Sequence, residues 1–210
     1  MLDAAEARPP LDEVAAACRA PLDALEGAHE KARELAAELE QALAEARRRL
    51  DALAARGRST ASLEPAVATA ARDRELGSSD VEPDPVAARG RFEEARSVLQ
   101  GMAAQAGAIE STDDRRQRAV DRAEEIRRRV AERRAEGWLL AEPGAEPEPM
   151  LAVAAREADL AARLLDDGEA AAALAHIEKA ETAVAEVATL LENVAAARSR
   201  TAELLPAVAA

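Results

Sequence analysis

Apolar residues fall at steps of three and four along most of this chain, and that spacing limits what it can fold into more than any other feature. Leu25, Ala28, Ala32, Leu35, Leu39, Ala42, Ala46 and Leu53 keep a mean step of about 3.5 residues, which holds one stripe of a helix against a partner helix. Of the 210 residues, 49% are hydrophobic but only 1% aromatic, with one Phe, one Trp and no Tyr. Side chains that small cannot fill a thick core, but they let helix axes approach closely. Ala, Leu, Glu, Arg and Gln are also the strongest helix formers, so local propensity and the long-range pattern agree. The expected fold is all-α, with long antiparallel helices in coiled-coil bundle packing and an elongated outline.

Breaks in the stripe divide the chain. A helical pattern begins at Pro10 and Leu11, continues through Val14 and Cys18, and meets Pro21, where one kinked helix or two abutting helices satisfy the register equally. Gly57, Ser59 and Thr60 stop it, and a weaker helical piece covers 63–76. Gly77-Ser78-Ser79 followed by Glu82-Pro83-Asp84-Pro85 forms the clearest internal break. A second stripe follows through Ala88, Phe92, Ala95, Leu99, Met102, Ala106 and Ile109. Ser111-Thr112-Asp113-Asp114 has the look of a turn with an N-cap, although Ala123 and Val130 carry the same register on, as an unbroken helix would. An Arg-rich helix runs through Ala119, Ala123, Ile126 and Val130 to Gly137, and the proline-rich segment 143–149 reads as a linker. Two helices close the chain, 150–166 and 169–204, with Gly168 as the joint. The expected domains are an N-terminal long-helix segment, 1–80, and a helical-bundle repeat region, 81–210. Glu82-Pro83-Asp84-Pro85 and Glu146-Pro147-Glu148-Pro149 hint at an internal repeat.

From Val81 to Val194 the chain resembles the spectrin-like helical repeats of long bacterial coiled-coil proteins. Among these it is similar to the C-terminal helical region of actinobacterial TPM-domain membrane proteins, with the septation-ring regulators as a more distant parallel. Asp84-Pro85-Val86-Ala87-Ala88-Arg89 opening a helix, and Leu164-Leu165 leading through Gly168 into 171–174 and Ala180-Glu181, carry the likeness. The mixed α/β domain that names the TPM family has no counterpart here, so the resemblance implies only a non-catalytic helical portion, whether or not it belongs to a larger membrane-anchored protein.

The formal net charge is −13, which disfavours nucleic acid and anionic membrane surfaces. A single Cys18 offers no internal disulfide, and no run approaches the roughly 18 apolar residues of a membrane span. The expectation is a cytoplasmic protein without a membrane segment, binding no nucleic acid at physiological salt, with a protein partner and room for self-association.

Chemistry-bearing patterns are few. A buried carboxylate–histidine metal site in a bundle needs Glu-x-x-His on two helices. Glu26-Gly27-Ala28-His29 is one such tetrapeptide, but His176 is preceded three residues earlier by Ala173, so both histidines read as solvated or packing residues. Cys18, on the apolar face with Leu11 and Val14, reads as a small core residue. No catalytic, metal or cofactor residues are expected. Two candidate contact sites remain. Arg127, Arg128 and Arg129 sit in an Arg-rich helix whose interleaved Asp and Glu suit a solvated, ion-paired face. Trp138, Leu139 and Leu140 suit either a docking anchor or a lid on the bundle's open end. The function expected is a non-enzymatic spacer, scaffold or interaction module, the alternative being a helical regulator or chaperone-like adaptor holding a partner helix in an apolar groove.

Overall fold

A computed structural model of the protein describes residues 11–140 and 146–208, with the side chains of 11, 12, 14–17, 20 and 205–208 outside the description. Among the described residues there are five helices and no strand: α1 (Leu11–Ala55), α2 (Glu64–Asp80), α3 (Pro85–Ala135), α4 (Pro147–Asp166) and α5 (Ala170–Val208). The protein is all-α. None of these helices is long and apolar enough to cross a membrane.

The chain forms two compact units that are interleaved in sequence. One takes Met1–Asp51 and Leu63–Ala103, and the other takes Ala52–Ser62 and Ala104–Ala210. The boundary expected near residue 80 is therefore not where contacts divide, because α3 opens in the first unit and continues into the second.

The first unit packs α1, α2 and the start of α3. Glu38 of α1 meets Arg96 of α3 at 2.9 Å, and Ala42 to Arg49 share a groove with Arg96 to Ala103, so α1 and α3 run the same way. Arg33 meets Glu82 at 2.8 Å while Glu40 meets Arg74 at 3.0 Å, which makes α2 antiparallel to α1. Ala32, Leu35, Leu39, Ala46, Ala88, Phe92, Ala95, Leu99 and Met102 are buried as the stripes predict, whereas Ala28 and Ala42 are half-buried and Leu43, Val67 and Ala70 join the core.

The second unit repeats this up-down-up order with α3, α4 and α5. Arg115 reaches Glu178 and Glu181 of α5, whereas Arg134 pairs with Glu148 and Ala119 lies near Asp159 of α4. Helices α3 and α5 are thus parallel and α4 opposes both. Only sequential neighbours are antiparallel, a refinement of the expected arrangement. Its core joins Ala123, Ile126 and Val130 of α3, Leu151 and Ala154 of α4, and Ala180, Val184, Val187 and Leu191 of α5.

Matching turns end the first helix of each unit. Gly57 (φ 74°) and Gly137 (φ 77°) take the left-handed conformation that only glycine adopts without strain. In each, the next residue's N–H returns to a carbonyl of the last turn, Arg58 to Leu53 and Trp138 to Arg133, both at 3.0 Å. Gly168 (φ 83°) ends α4 with the same turn, the Glu169 N–H returning to the Leu164 carbonyl at 2.7 Å. The two Glu-Pro segments take different places, since Glu82-Pro83-Asp84-Pro85 leads into α3 and Glu146-Pro147-Glu148-Pro149 opens α4.

Of the two readings at Pro21, one helix holds, α1 being continuous through it. Several other local expectations are corrected. The start expected at Pro10 and the side chains of Leu11 and Val14 lie outside the described residues. Leu25 is exposed and Cys18 is exposed rather than a core residue, the buried stripe beginning at Ala32. Helix α2 runs through Gly77-Ser78-Ser79 because Gly77 packs under the Phe92 ring and the Ser78 and Ser79 hydroxyls donate to the Arg74 and Leu76 carbonyls, both at 2.7 Å. Helix α4 starts at Pro147, where a first-turn proline lacks only an N–H that would go unbonded anyway. At Ser111-Thr112-Asp113-Asp114 the unbroken helix, the rival of a turn, is what the structure shows.

Candidate interaction surfaces

Asp113 points into the second unit. Its side chain is 11% exposed and is met by Arg116 Nε at 2.8 Å from the same helix and by Arg58 Nε at 3.7 Å. Arg58, itself 12% exposed, also donates to Asp166 Oδ1 at 3.2 Å and to the Ala162 carbonyl at 3.1 Å, and the Ser59 N–H donates to the same Asp166 oxygen. Arg116 is thus the bonded partner of the Asp113 carboxylate, while the Arg58 Nε contact, too long for a hydrogen bond, adds charge. Arg58 is aimed by the Gly57 turn, and the strand of chain after it reaches the α4–α5 joint. There a Cβ on Gly168 would lie 2.7 Å from Ser62 Oγ, so no larger residue fits without displacing the contact.

A second polar contact joins α4 to α5. Glu157 is buried and its Oε2 lies 2.7 Å from His176 Nδ1. The His176 hydrogen bond is the largest influence holding the Glu157 carboxyl below the usual glutamate range, against the opposing effect of burial and with help from Lys179 and Arg156. His176 is therefore a bonded residue and not simply a packing or solvated one. His29 is half-buried, with a ring Nδ1 that has no hydrogen-bond partner. Periodicity alone did not reveal Arg58, Asp166 or the Glu157–His176 pair. The one available signal was a Glu set beside Ala154, Ala158 and Ala161 on an otherwise apolar face.

The Arg-rich stretch of α3 divides in two. Arg115 forks onto Glu181 at 2.9 and 2.7 Å, which raises the guanidinium pKa and lowers that of Glu181, and Arg116, Arg122, Arg133 and Arg134 each hold a carboxylate. Arg127, Arg128 and Arg129 hold none among the described residues, Arg127 and Arg128 being exposed and Arg129 half-buried. The ion-paired face expected for the whole helix is found only around them. Arg127 borders the furrow between α3 and α4, beside Val130, Ala131 and Ala155.

The three residues after Gly137 part company. Leu140 is buried within the core, and Trp138 packs against that core with Arg133 and Arg198 guanidiniums 4.4 and 4.9 Å from its ring centroid. Leu139 is 90% exposed. Trp138 and Leu140 close the end of the bundle, leaving Leu139 alone as an outward apolar contact.

A groove of about 430 Å³ separates α3 from α5. Its floor is Ala119, Val184, Ala185 and Ala188, and its rims carry Arg118 and Arg122 on α3 and Glu181 and Glu192 on α5. Short floor residues and charged rims suit a helix laid along it. No family model, no curated protein and no solved structure matches the chain.

Proposed function

We propose that this protein is a non-catalytic spacer or scaffold and protein-interaction module, built of tandem three-helix units of spectrin-like type and working in the cytoplasm. The observation that carries the reading is that α3 belongs to both units without a break. Helix formed in the part of α3 that one unit takes favours helix in the part that the other takes, as in repeat arrays whose stability includes a neighbour term. The polar groups of the second unit support the same reading, since Arg58, Asp113, Asp166, Glu157 and His176 bind helices to one another. The α3–α5 groove favours a second reading, an adaptor that holds a partner helix.

Unfolding followed by two probes tests the spacer reading. Helical ellipticity reports both units, while fluorescence of the single Trp138 reports the second. The two transitions should coincide in the native chain, and inserting Gly-Pro between Ala103 and Ala104 should separate them. A Trp138 transition unmoved by the insertion would remove the support from the spacer and leave the adaptor.

A further inference from the structure

Helix α1 starts well before the helices that cover it. Glu38 of α1 meets Arg96 of α3 across an offset of 58 residues, which puts the start of α3, Pro85, level with about residue 27. Arg33 meets Glu82 in the turn just before that start. Positions 11–28, about 27 Å of helix, therefore overhang α2 and α3. The apolar stripe does not stop with its cover. Cys18 and Leu25 lie fourteen and seven residues before the buried Ala32, and Leu22 lies three sevens before the buried Leu43. All three are exposed, Leu22 by 57% and Leu25 by 47%. Glu13, Arg19, Asp23 and Glu26 sit roughly 100° or more round the helix from Leu25, so the stripe itself carries no charge.

We infer that this overhang pairs, antiparallel, with the same overhang of a second copy. The inference rests on the interaction-module reading above and names its surface and partner. The exposed stripe is in line with the face that α2 and α3 bury from Ala32 onward. A second α1 lying on it and running the same way would collide with α2 and α3, whereas one running the opposite way ends where they begin. The occupant is then a free N-terminal helix end, apolar along one stripe and about 18 residues long, and the overhang is itself such an end. The far end of α5 is no substitute. After Leu191 and Val194 the next step of its stripe is Arg198, which already lies over the Trp138 ring at 4.9 Å. A two-fold axis between positions 19 and 20 matches the overhang with itself over its whole length. Leu25 comes level with position 14 of the other copy, Cys18 with position 21, and Ala28 with position 11. The two rows of the stripe thereby alternate across the contact, as antiparallel coiled-coil packing requires. An overlap of about five turns stands at the weak end of specific interfaces, so the dimer is reversible.

Sedimentation equilibrium on the full chain tests the pairing, and spin-label distances test its direction. The native protein should dimerise at about 100 μM. Leu22→Glu with Leu25→Glu should weaken the dimer about tenfold or more, while Asp23→Lys, on the outer side of the helix, should leave it unchanged. Leu22, Asp23 and Leu25 are all exposed in the single chain, so melting should stay native in each variant, which separates lost association from lost fold. One nitroxide goes on Cys18, the single cysteine, and another on position 26 in Cys18→Ser with Glu26→Cys. Antiparallel pairing offsets the two labels of a dimer along the axis by about 5 Å at position 18 and about 20 Å at position 26. A native chain still monomeric at about 500 μM would overturn the inference, as would a dimer indifferent to the leucine changes or equal label distances at the two positions. None of these results touches the unfolding test of α3, so the two readings fail separately.

Discussion

Replacing Arg58 by Met should destabilise the second unit by about 3 kcal/mol. Met keeps most of the aliphatic stem and removes the guanidinium, deleting the hydrogen bonds to Asp166 at 3.2 Å and to the Ala162 carbonyl at 3.1 Å, together with the charge 3.7 Å from Asp113. Removing one partner of a buried ion pair costs about 3–5 kcal/mol, and a hydrogen bond to a charged group contributes about 1.5–3 kcal/mol. The lower end applies because Asp113 keeps Arg116 at 2.8 Å and the Asp166 side chain is 40% exposed, so water replaces what Arg58 gave it. About 3 kcal/mol is roughly a hundredfold in the folding equilibrium. With a urea slope near 2 kcal/mol/M, the midpoint should fall by about 1.5 M, read from Trp138 fluorescence, which reports this unit. Asp113→Asn in the Arg58→Met background should cost further stability, since Arg116, 14% exposed, then faces a neutral amide in place of its carboxylate partner at 2.8 Å. Arg48→Met is the control. Its side chain is 72% exposed and its pair with Glu45 is intrahelical, so its effect should stay within about 0.5 kcal/mol. Equal effects at Arg58 and Arg48 would refute the argument that Arg58 holds Asp113 inside the bundle.

Two further outcomes follow from the packing and the ionic contacts. Gly77→Ala would place a Cβ 2.5 Å from Cε1 of the fully buried Phe92, so it should cost about 1–3 kcal/mol despite the better helix propensity of Ala. Gly101→Ala, with nothing within 4 Å, should instead stabilise by up to about 1 kcal/mol, and matching signs in chemical denaturation would contradict the close fit at Phe92. Glu157 and Glu181 both have folded-state pKa values lowered, chiefly by hydrogen bonds with His176 and Arg115. Their contribution is complete above the unfolded glutamate value of about 4.3 and is lost as pH falls through their lower folded values. Melting temperature should therefore drop below about pH 4.3, and Glu157→Gln should flatten that drop. An unchanged acid slope would mean that the Glu157–His176 contact does not distinguish the folded from the unfolded chain.

The sequence by itself determined what kind of molecule this is. Steps of three and four mark the buried faces of α3 from Ala88 to Val130 and of α5 from Ala173 to Leu191, because a helix shows its neighbours one stripe wherever it lies. Gly57, Gly137 and Gly168 mark ends, since a left-handed residue after the last turn is a local requirement. Tertiary structure decided the rest. Ser111-Thr112-Asp113-Asp114 has the local chemistry of a turn and is helix in the structure, where Asp113 is buried with Arg116 at 2.8 Å and the charge of Arg58, distant in sequence, at 3.7 Å. Gly77-Ser78-Ser79 reads as a break and stays helical because Phe92 of another helix occupies the space that a side chain would fill. Cys18 and Leu25 continue the apolar stripe and are nevertheless exposed, since periodicity shows which side of a helix is apolar but not how far its partner extends. The α3–α5 groove and the Glu157–His176 contact were invisible for the same reason. Each joins two helices whose relative level is set by side-chain packing along the whole of their length, and no window of sequence contains that information.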